Sequence, residues 1–228
     1  MMRAISTYLR RLRLAVTLLC VTPVIGFAQD YRPDILELSP GEGLSVPWDK
    51  ALDLSGGGTV EFWVVPTFEG VPNYDPVILS SAGPNGAPYL IAMLRDKDGI
   101  AVVAGEEEGV IPYEFTDGKL HHVAVNSYAD GIIVYIGGSA AASFDFTVPE
   151  IPSSGLFIGS GDGEAAAFTG AIAGLRFWRT PIVEEYLLEF QLKPALSEEE
   201  NHPDIEFLSA VSDFANEQIL IVEEISQE

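Results

Sequence analysis

KLHHVAVNSYADGIIVYIGG (residues 119–138) and FTGAIAGLRFW (residues 168–178) decide the fold. In both, β-branched and aromatic residues dominate, a composition that suits a pleated, half-buried surface. Between Tyr128 and Ile132 stands Ala-Asp-Gly, a turn of the kind that joins antiparallel neighbours. A hairpin is expected there.

Working outward, strands are predicted at 35–38, 44–46, 59–65, 77–80, 89–94, 100–104, 113–115, 121–127, 132–136, 142–146, 155–158 and 169–177. Turn-forming clusters separate them, among them Gly56-Gly57-Gly58, Gly83-Pro84-Asn85-Gly86, Asp96-Lys97-Asp98-Gly99 and Gly159-Ser160-Gly161-Asp162-Gly163. The acids Glu106-Glu107-Glu108 are read as a further turn. Many short strands with Gly, Asn and Asp punctuation point to an all-β sandwich or jelly roll, not to βαβ units. Val60, Phe62 and Val64 alternate with Glu61, Trp63 and Val65, so this strand offers apolar groups to both faces and is expected to be central.

After Thr180 the pattern changes. Pro181 stands at a helix start, Glu184 and Glu185 fall in the first turns, and Ile182, Tyr186, Leu187 and Phe190 recur at helical spacing. One short amphipathic helix over 181–192 is predicted, opening an acidic C-terminal segment. From Glu184 onward there are thirteen acids and a single base, Lys193. Residues 205–211 and 218–222 are apolar enough to return to the sandwich.

Residues 1–28 carry Arg3, Arg10, Arg11 and Arg13 and no acid, then an apolar run, then Gly26-Phe27-Ala28 before Gln29. This is the pattern of a secretory signal peptide, and the run is too short to span a bilayer comfortably. Residues 29–228 are then one domain of a secreted or periplasmic protein. The only cysteine, Cys20, leaves with the leader, so neither disulfides nor thiolate chemistry are expected in the mature chain.

The formal charge is −22. Taking the four leader arginines from the 12 Lys+Arg leaves 8 bases against 34 acids, or −26. Such a polyanion repels phosphate backbones and anionic bilayers, which excludes nucleic acid as the natural partner.

Placed in order, TVEFWVVP (59–66), ILSSAG (78–83), DGKLHHVAVNSYADGIIVYIGG (117–138), LFIGSGDG (156–163) and FTGAIAGLRFW (168–178) resemble the laminin-G-like jelly-roll domains of the concanavalin A-like lectin and glucanase superfamily. The most specific element is the histidine pair before a Val-Ala-Val strand, followed by a turn and a Tyr-x-x-Gly strand. The chain departs from that pattern at Leu120, where the family has Trp and a core swap is expected. It departs again at Ala173-Gly174, where the family often has acids. The resemblance implies two antiparallel sheets packed face to face, with recognition at rim loops. It also implies a sugar-binding module, an adhesion domain or a glycosidase, since a fold alone does not choose among them.

Glycoside hydrolysis needs two carboxylates flanking one bond, and hydrolases on this sandwich set them two apart on a strand, on one face. No Glu here is followed two positions later by Asp, so no enzyme is expected. His121 and His122 are adjacent on a strand and project to opposite faces, which prevents chelation of one ion. One is expected in the core and the other at the surface. Two readings stand for the loop acids. Asp75, Asp162 and Glu164 converge on Ca²⁺, which takes oxygen ligands from loops, or each simply stabilises its own turn.

Aromatic rings supply a sugar platform where they are exposed, and Tyr74, Tyr89, Tyr113 and Tyr128 are the tyrosine candidates. Trp48 and Tyr74 have loop contexts that favour exposure, whereas Phe62, Trp63, Phe177 and Trp178 are assigned to packing. The expected ligand-binding set is therefore Trp48, Tyr74, Asp75 and Asp162. The expected function is a non-catalytic module for a glycan. The alternative is docking of a basic protein on the acidic helix and tail.

Overall fold

The computed structural model describes residues 35–82, 87–161, 166–190 and 208–221. The strands are β1 (Ile35–Leu38), β2 (Leu44–Pro47), β3 (Gly58–Pro66), β4 (Val77–Ala82), β5 (Tyr89–Met93), β6 (Gly99–Ala104), β7 (Glu107–Pro112), β8 (His121–Tyr128), β9 (Gly131–Ile136), β10 (Ser139–Phe144), β11 (Gly155–Ile158), β12 (Gly170–Trp178), β13 (Leu208–Asp213) and β14 (Gln218–Ile221). Among the described residues there is one α-helix, α1 (Glu184–Phe190). No helix among the described residues is long and apolar enough to cross a membrane.

All ladders between these strands are antiparallel, and they form two sheets. The first runs β10-β9-β8-β3-β12-β13-β14, with β1 alongside β12; the second runs β2-β11-β4-β5-β6-β7. Between them lies one apolar core in which Phe62, Val64, Ile78, Ile91, Val123, Val134, Phe168 and Phe177 are buried. This is the two-layer jelly-roll sandwich expected from the sequence.

Strand β3 is central, between β8 and β12, because it is buried on both faces. Val60, Phe62 and Val64 point into the sandwich. The opposite face of the first sheet is closed by the segment after Thr180, where Leu187 packs with Ala124 and Tyr135, and Ile182 packs against Trp178 and Leu208. A polar pin fixes that segment. Thr59 Oγ1 donates to Asn126 Oδ1 at 2.6 Å and accepts from the Ile182 amide at 2.9 Å, while Asn126 Nδ2 donates to the Ile182 carbonyl at 2.6 Å.

The register of β12 shifts between Ala173 and Arg176, so Gly174 and Leu175 oppose one residue of β3. Gly174 stands at φ 57, the left-handed region that such a bulge requires. The extra residue reverses the phase of the strand. Ile172 points inward before the bulge, Leu175 and Phe177 point inward after it, and Arg176 and Trp178 turn to the outer face.

Several local expectations change. Glu107 and Glu108 belong to β7, not to a turn. Glu106 does lie in the turn, completing with Gly105 at φ 61 the two-residue connection from β6, while Glu107 and Glu108 lie along a sheet edge where charge discourages further pairing. Residues 113–115 are not a strand, because Pro112 ends the ladder and the Tyr113 and Phe115 amides bond back to Asp98 and Lys97 instead. Leu120 is 48% exposed and is no core swap. The helix is described to Phe190, and the rest of its predicted span lies outside the described residues.

Replacing Gly174 with Ala leaves room for the methyl group, 3.5 Å from the Trp63 ring, so the cost is the left-handed backbone alone. Gly174→Ala is expected to lower stability by about 1–2 kcal/mol in urea melts. A midpoint equal to the wild type would contradict the bulge.

Candidate functional site

The loops at the Pro66 end of β3 form one rim. Val77 pairs there with Ala167 and its amide bonds to the Ala166 carbonyl, while Thr67 donates to Thr169 and Gly118 to Pro66. Lys97 ties three of these loops together. Its ammonium donates to the Phe68 carbonyl at 2.6 Å, sits 4.3 Å over the Phe68 ring and pairs with Asp117.

Tyr74 and Asp75 stand on this rim, both exposed. Tyr74 is 40% exposed, and its hydroxyl donates to the Ala167 carbonyl at 3.3 Å, so the ring is anchored at its polar tip with a face left open. Asp75 accepts from the Arg95 amide at 2.9 Å through Oδ1. Gly159 and Phe168, bonded to each other, flank the glycine-rich loop at the same rim. Asp162 and Glu164 themselves lie outside the described residues. Among the described residues no three His, Cys, Asp or Glu side chains gather as a metal site.

Trp48 is elsewhere. It follows β2, whose Pro47 aligns with Gly155 and, through it, with Ala82 at the far end of β4 from Val77. Its ring is half-buried, packed on the core 6.5 Å from Tyr89. The structure thus brings Tyr74 and Asp75 together and sets Trp48 at the opposite end of the sandwich. Of the other tyrosines, Tyr89 is buried and donates to the Leu52 carbonyl at 3.0 Å. Burial, with the Asp53 charge adding to it, raises the Tyr89 hydroxyl well above its ordinary value, so it keeps its proton. Tyr113 and Tyr128 are half-buried, whereas Phe62, Phe177 and Trp178 are packed as expected.

Both histidines are buried, which corrects the expectation that one lies at the surface. His121 packs against Tyr113 and Phe115, with the Thr116 amide 3.1 Å from its Nε2. His122 joins a polar cluster on the outer face of the first sheet that sequence reasoning missed. Glu61, 4% exposed, accepts from His122 Nε2 at 2.9 Å, Trp178 Nε1 at 3.0 Å and Arg176 Nη1 at 3.2 Å. These partners come from the two strands that flank β3, His122 from β8 and Arg176 and Trp178 from β12.

Burial alone would raise the Glu61 carboxyl. The Arg176 charge and the bonds from His122 and Trp178 outweigh it and hold the group down to about 2. A carboxylate so ionised and so enclosed can neither protonate a leaving group nor meet a sugar carbon. A signal for it did exist in the sequence. An acid at the centre of a two-faced apolar strand needs a buried cation opposite, and the glycine breaking the alternation of AIAGLRFW delivers Arg176 there.

Residues 40–186 match the family described as the concanavalin A-like lectin/glucanases superfamily, in its laminin-G form. None of the curated proteins matches this sequence. Among solved structures, a Bacteroides ovatus protein described as carbohydrate-binding is similar at 16% identity and TM-score 0.58, over 75% of this chain and 49% of that one. The chain thus spans about half the length of that relative. The CBM40 module of the Ruminococcus gnavus IT-sialidase, solved with α2,3-sialyllactose, is similar at 14% identity and TM-score 0.54, over 68% and 95% of the two chains. A heptameric SAP-like pentraxin from Limulus polyphemus is similar at 14% identity and TM-score 0.51, over 85% and 98%. At these identities the likeness is one of fold.

Glu61 carries a pH dependence whose sign follows from its lowered value. Its stabilisation is complete above the ordinary carboxyl value of 4.5 and is lost as pH falls from there through about 2. Glu61→Gln is expected to cost about 3–5 kcal/mol at pH 7, because it leaves Arg176 buried beside a neutral group. In urea melts the gap between wild type and variant narrows at pH 3. A gap independent of pH would show that the cluster is not ionic.

Proposed function

We propose, from the premise that the chain belongs to the concanavalin A-like lectin/glucanase superfamily, that it is an exported, non-catalytic recognition module that binds a glycan at the Tyr74 rim. The observation that carries this reading is the pairing of Tyr74 with Asp75. An aromatic face anchored by its hydroxyl stands beside a carboxylate with one oxygen still unbonded, on loops cross-tied by Lys97. Sugars stack their C–H faces on such rings while carboxylates accept from their hydroxyls. Loops held in place before binding lose little entropy when the ligand arrives.

The proposal extends to the absence of catalysis. The one buried carboxylate among the described residues is Glu61, which is locked to three partners. Export rests on the arginine-rich, apolar N-terminal stretch of the sequence. The CBM40 and Bacteroides ovatus folds lend the reading their general kind of ligand and nothing finer.

A second reading, docking of a basic protein, draws on α1 and the residue before it. Val183 and Leu188 are 50% and 49% exposed there, beside Glu184 and Glu185. A glycan array separates the two.

Glycan binding that falls about tenfold in Tyr74→Ala and also weakens in Asp75→Ala is the expected result, in line with about 1–1.5 kcal/mol for one aromatic contact. Silence of the array, with binding to a basic protein that is lost in Leu188→Glu, favours the second reading. Repeating the array in EDTA and in millimolar calcium tests whether the rim also takes Ca²⁺. Equal binding in both removes the ion.

A further inference from the structure

At the end of the sandwich away from Tyr74, a cleft of about 490 Å³ opens between the 3₁₀ turn Lys50–Leu52, the Gly56-Gly57 turn and the ends of β12, β13 and β14. Its volume lies within the range of small-ligand sites. We propose that this cleft is a second recognition site, taking a short neutral saccharide.

The walls are built before any ligand arrives. Ser209, 2% exposed, donates from Oγ to the Ala51 carbonyl at 2.8 Å. Arg179 Nη1 donates to the Leu208 carbonyl at 2.9 Å, and Tyr89 holds the Leu52 carbonyl from beneath. Strand β13 is thereby fastened to the 3₁₀ turn on one side and to the end of β12 on the other.

The lining chooses the ligand. Among the described residues Asp49 and Asp53 face the same space as Lys50 and Arg179, two acids against two bases, in a chain whose formal charge is −22. Neither anion nor cation gains from entering such a cleft, whereas a neutral group that both donates and accepts finds partners of each kind. Sugar hydroxyls are such groups. Asp49 and Asp53 each use Oδ1 on a backbone amide, of Ala51 at 2.8 Å and Ser55 at 2.9 Å, which leaves the second oxygen of each as an acceptor. Lys50 is exposed and has no partner among the described residues, which leaves its ammonium as a donor. The Trp178 indole N–H is already committed to Glu61, so that residue brings no side-chain donor to the cleft.

The cleft shares no residue with the Tyr74 rim and rests on that reading only for the class of ligand. The two can therefore fail separately. Gly56 lines the cleft, lacks a left-handed backbone, and a Cβ added there meets nothing within 4 Å, so Gly56→Trp fills the space without disturbing its walls.

Wild type, Tyr74→Ala and Gly56→Trp are titrated with cellotriose, xylotriose and maltotriose, by saturation-transfer NMR and calorimetry, with melting temperature as the check on folding. Tyr74→Ala is expected to retain binding of at least one trisaccharide. Gly56→Trp, or Lys50→Ala should the first variant melt early, is expected to weaken that binding at least tenfold, or about 1.4 kcal/mol. The cleft is overturned if Tyr74→Ala binds none of the three, or if Gly56→Trp and Lys50→Ala both bind as the wild type does. Binding abolished by Tyr74→Ala and untouched by Gly56→Trp leaves the rim and removes the cleft; the reverse leaves the cleft and removes the rim as the site for these three sugars, the array remaining the rim's own test.

Discussion

A carboxylate in the middle of a buried sheet must be met by a cation and by hydrogen bonds, or it will not stay charged there. Glu61 imposes that constraint on the first sheet. Its partners have to arrive from the strands on either side, His122 from β8 and Arg176 with Trp178 from β12. Strand β12 reaches the right phase only through the Gly174 bulge. The outer face then has to be closed, and the segment pinned by Thr59 and Asn126 contributes to closing it. A single acid thus connects a bulge, a strand order and a docked helix.

That arrangement separates stability from recognition. With its outer face occupied by α1 and its inner face by the core, the first sheet has little open surface at its centre for a ligand, so binding chemistry moves to the loops at the two ends. The two ends differ in kind. At the Tyr74 rim an anchored ring projects from loops laced by a lysine, whereas the opposite end is a recess whose described lining carries charges of both signs on fastened walls. Both are held by hydrogen bonds to backbone carbonyls, which set geometry without consuming the carboxylate oxygens a ligand would use.

The strands were largely legible because their residues combine period two with glycine and aspartate punctuation, both of them local properties. Strands β1 and β11 have the predicted bounds, and most others differ by one or two residues at an end. Strand β7 was not legible. Its glutamates look like a turn until a neighbour is known to pair on one side only, and edge position is a property of the whole sheet. The site was less legible than the fold. Tyr74 and Asp75, adjacent in sequence, share a rim, but Trp48 looked like their companion only because the three occupy similar loop contexts.

The amino-acid sequence determined an antiparallel sandwich, a central two-faced strand at residues 59–65 and a short acidic helix near the C-terminal end, because side-chain period, turn chemistry and composition act over a few residues. Only the tertiary structure decided which ends the loops occupy, which cation meets Glu61 and where a cleft remains. Those are encounters between residues far apart in the chain, 115 positions in the case of Glu61 and Arg176. They are settled by strand order, register and one bulge, none of which any single stretch of the chain encodes.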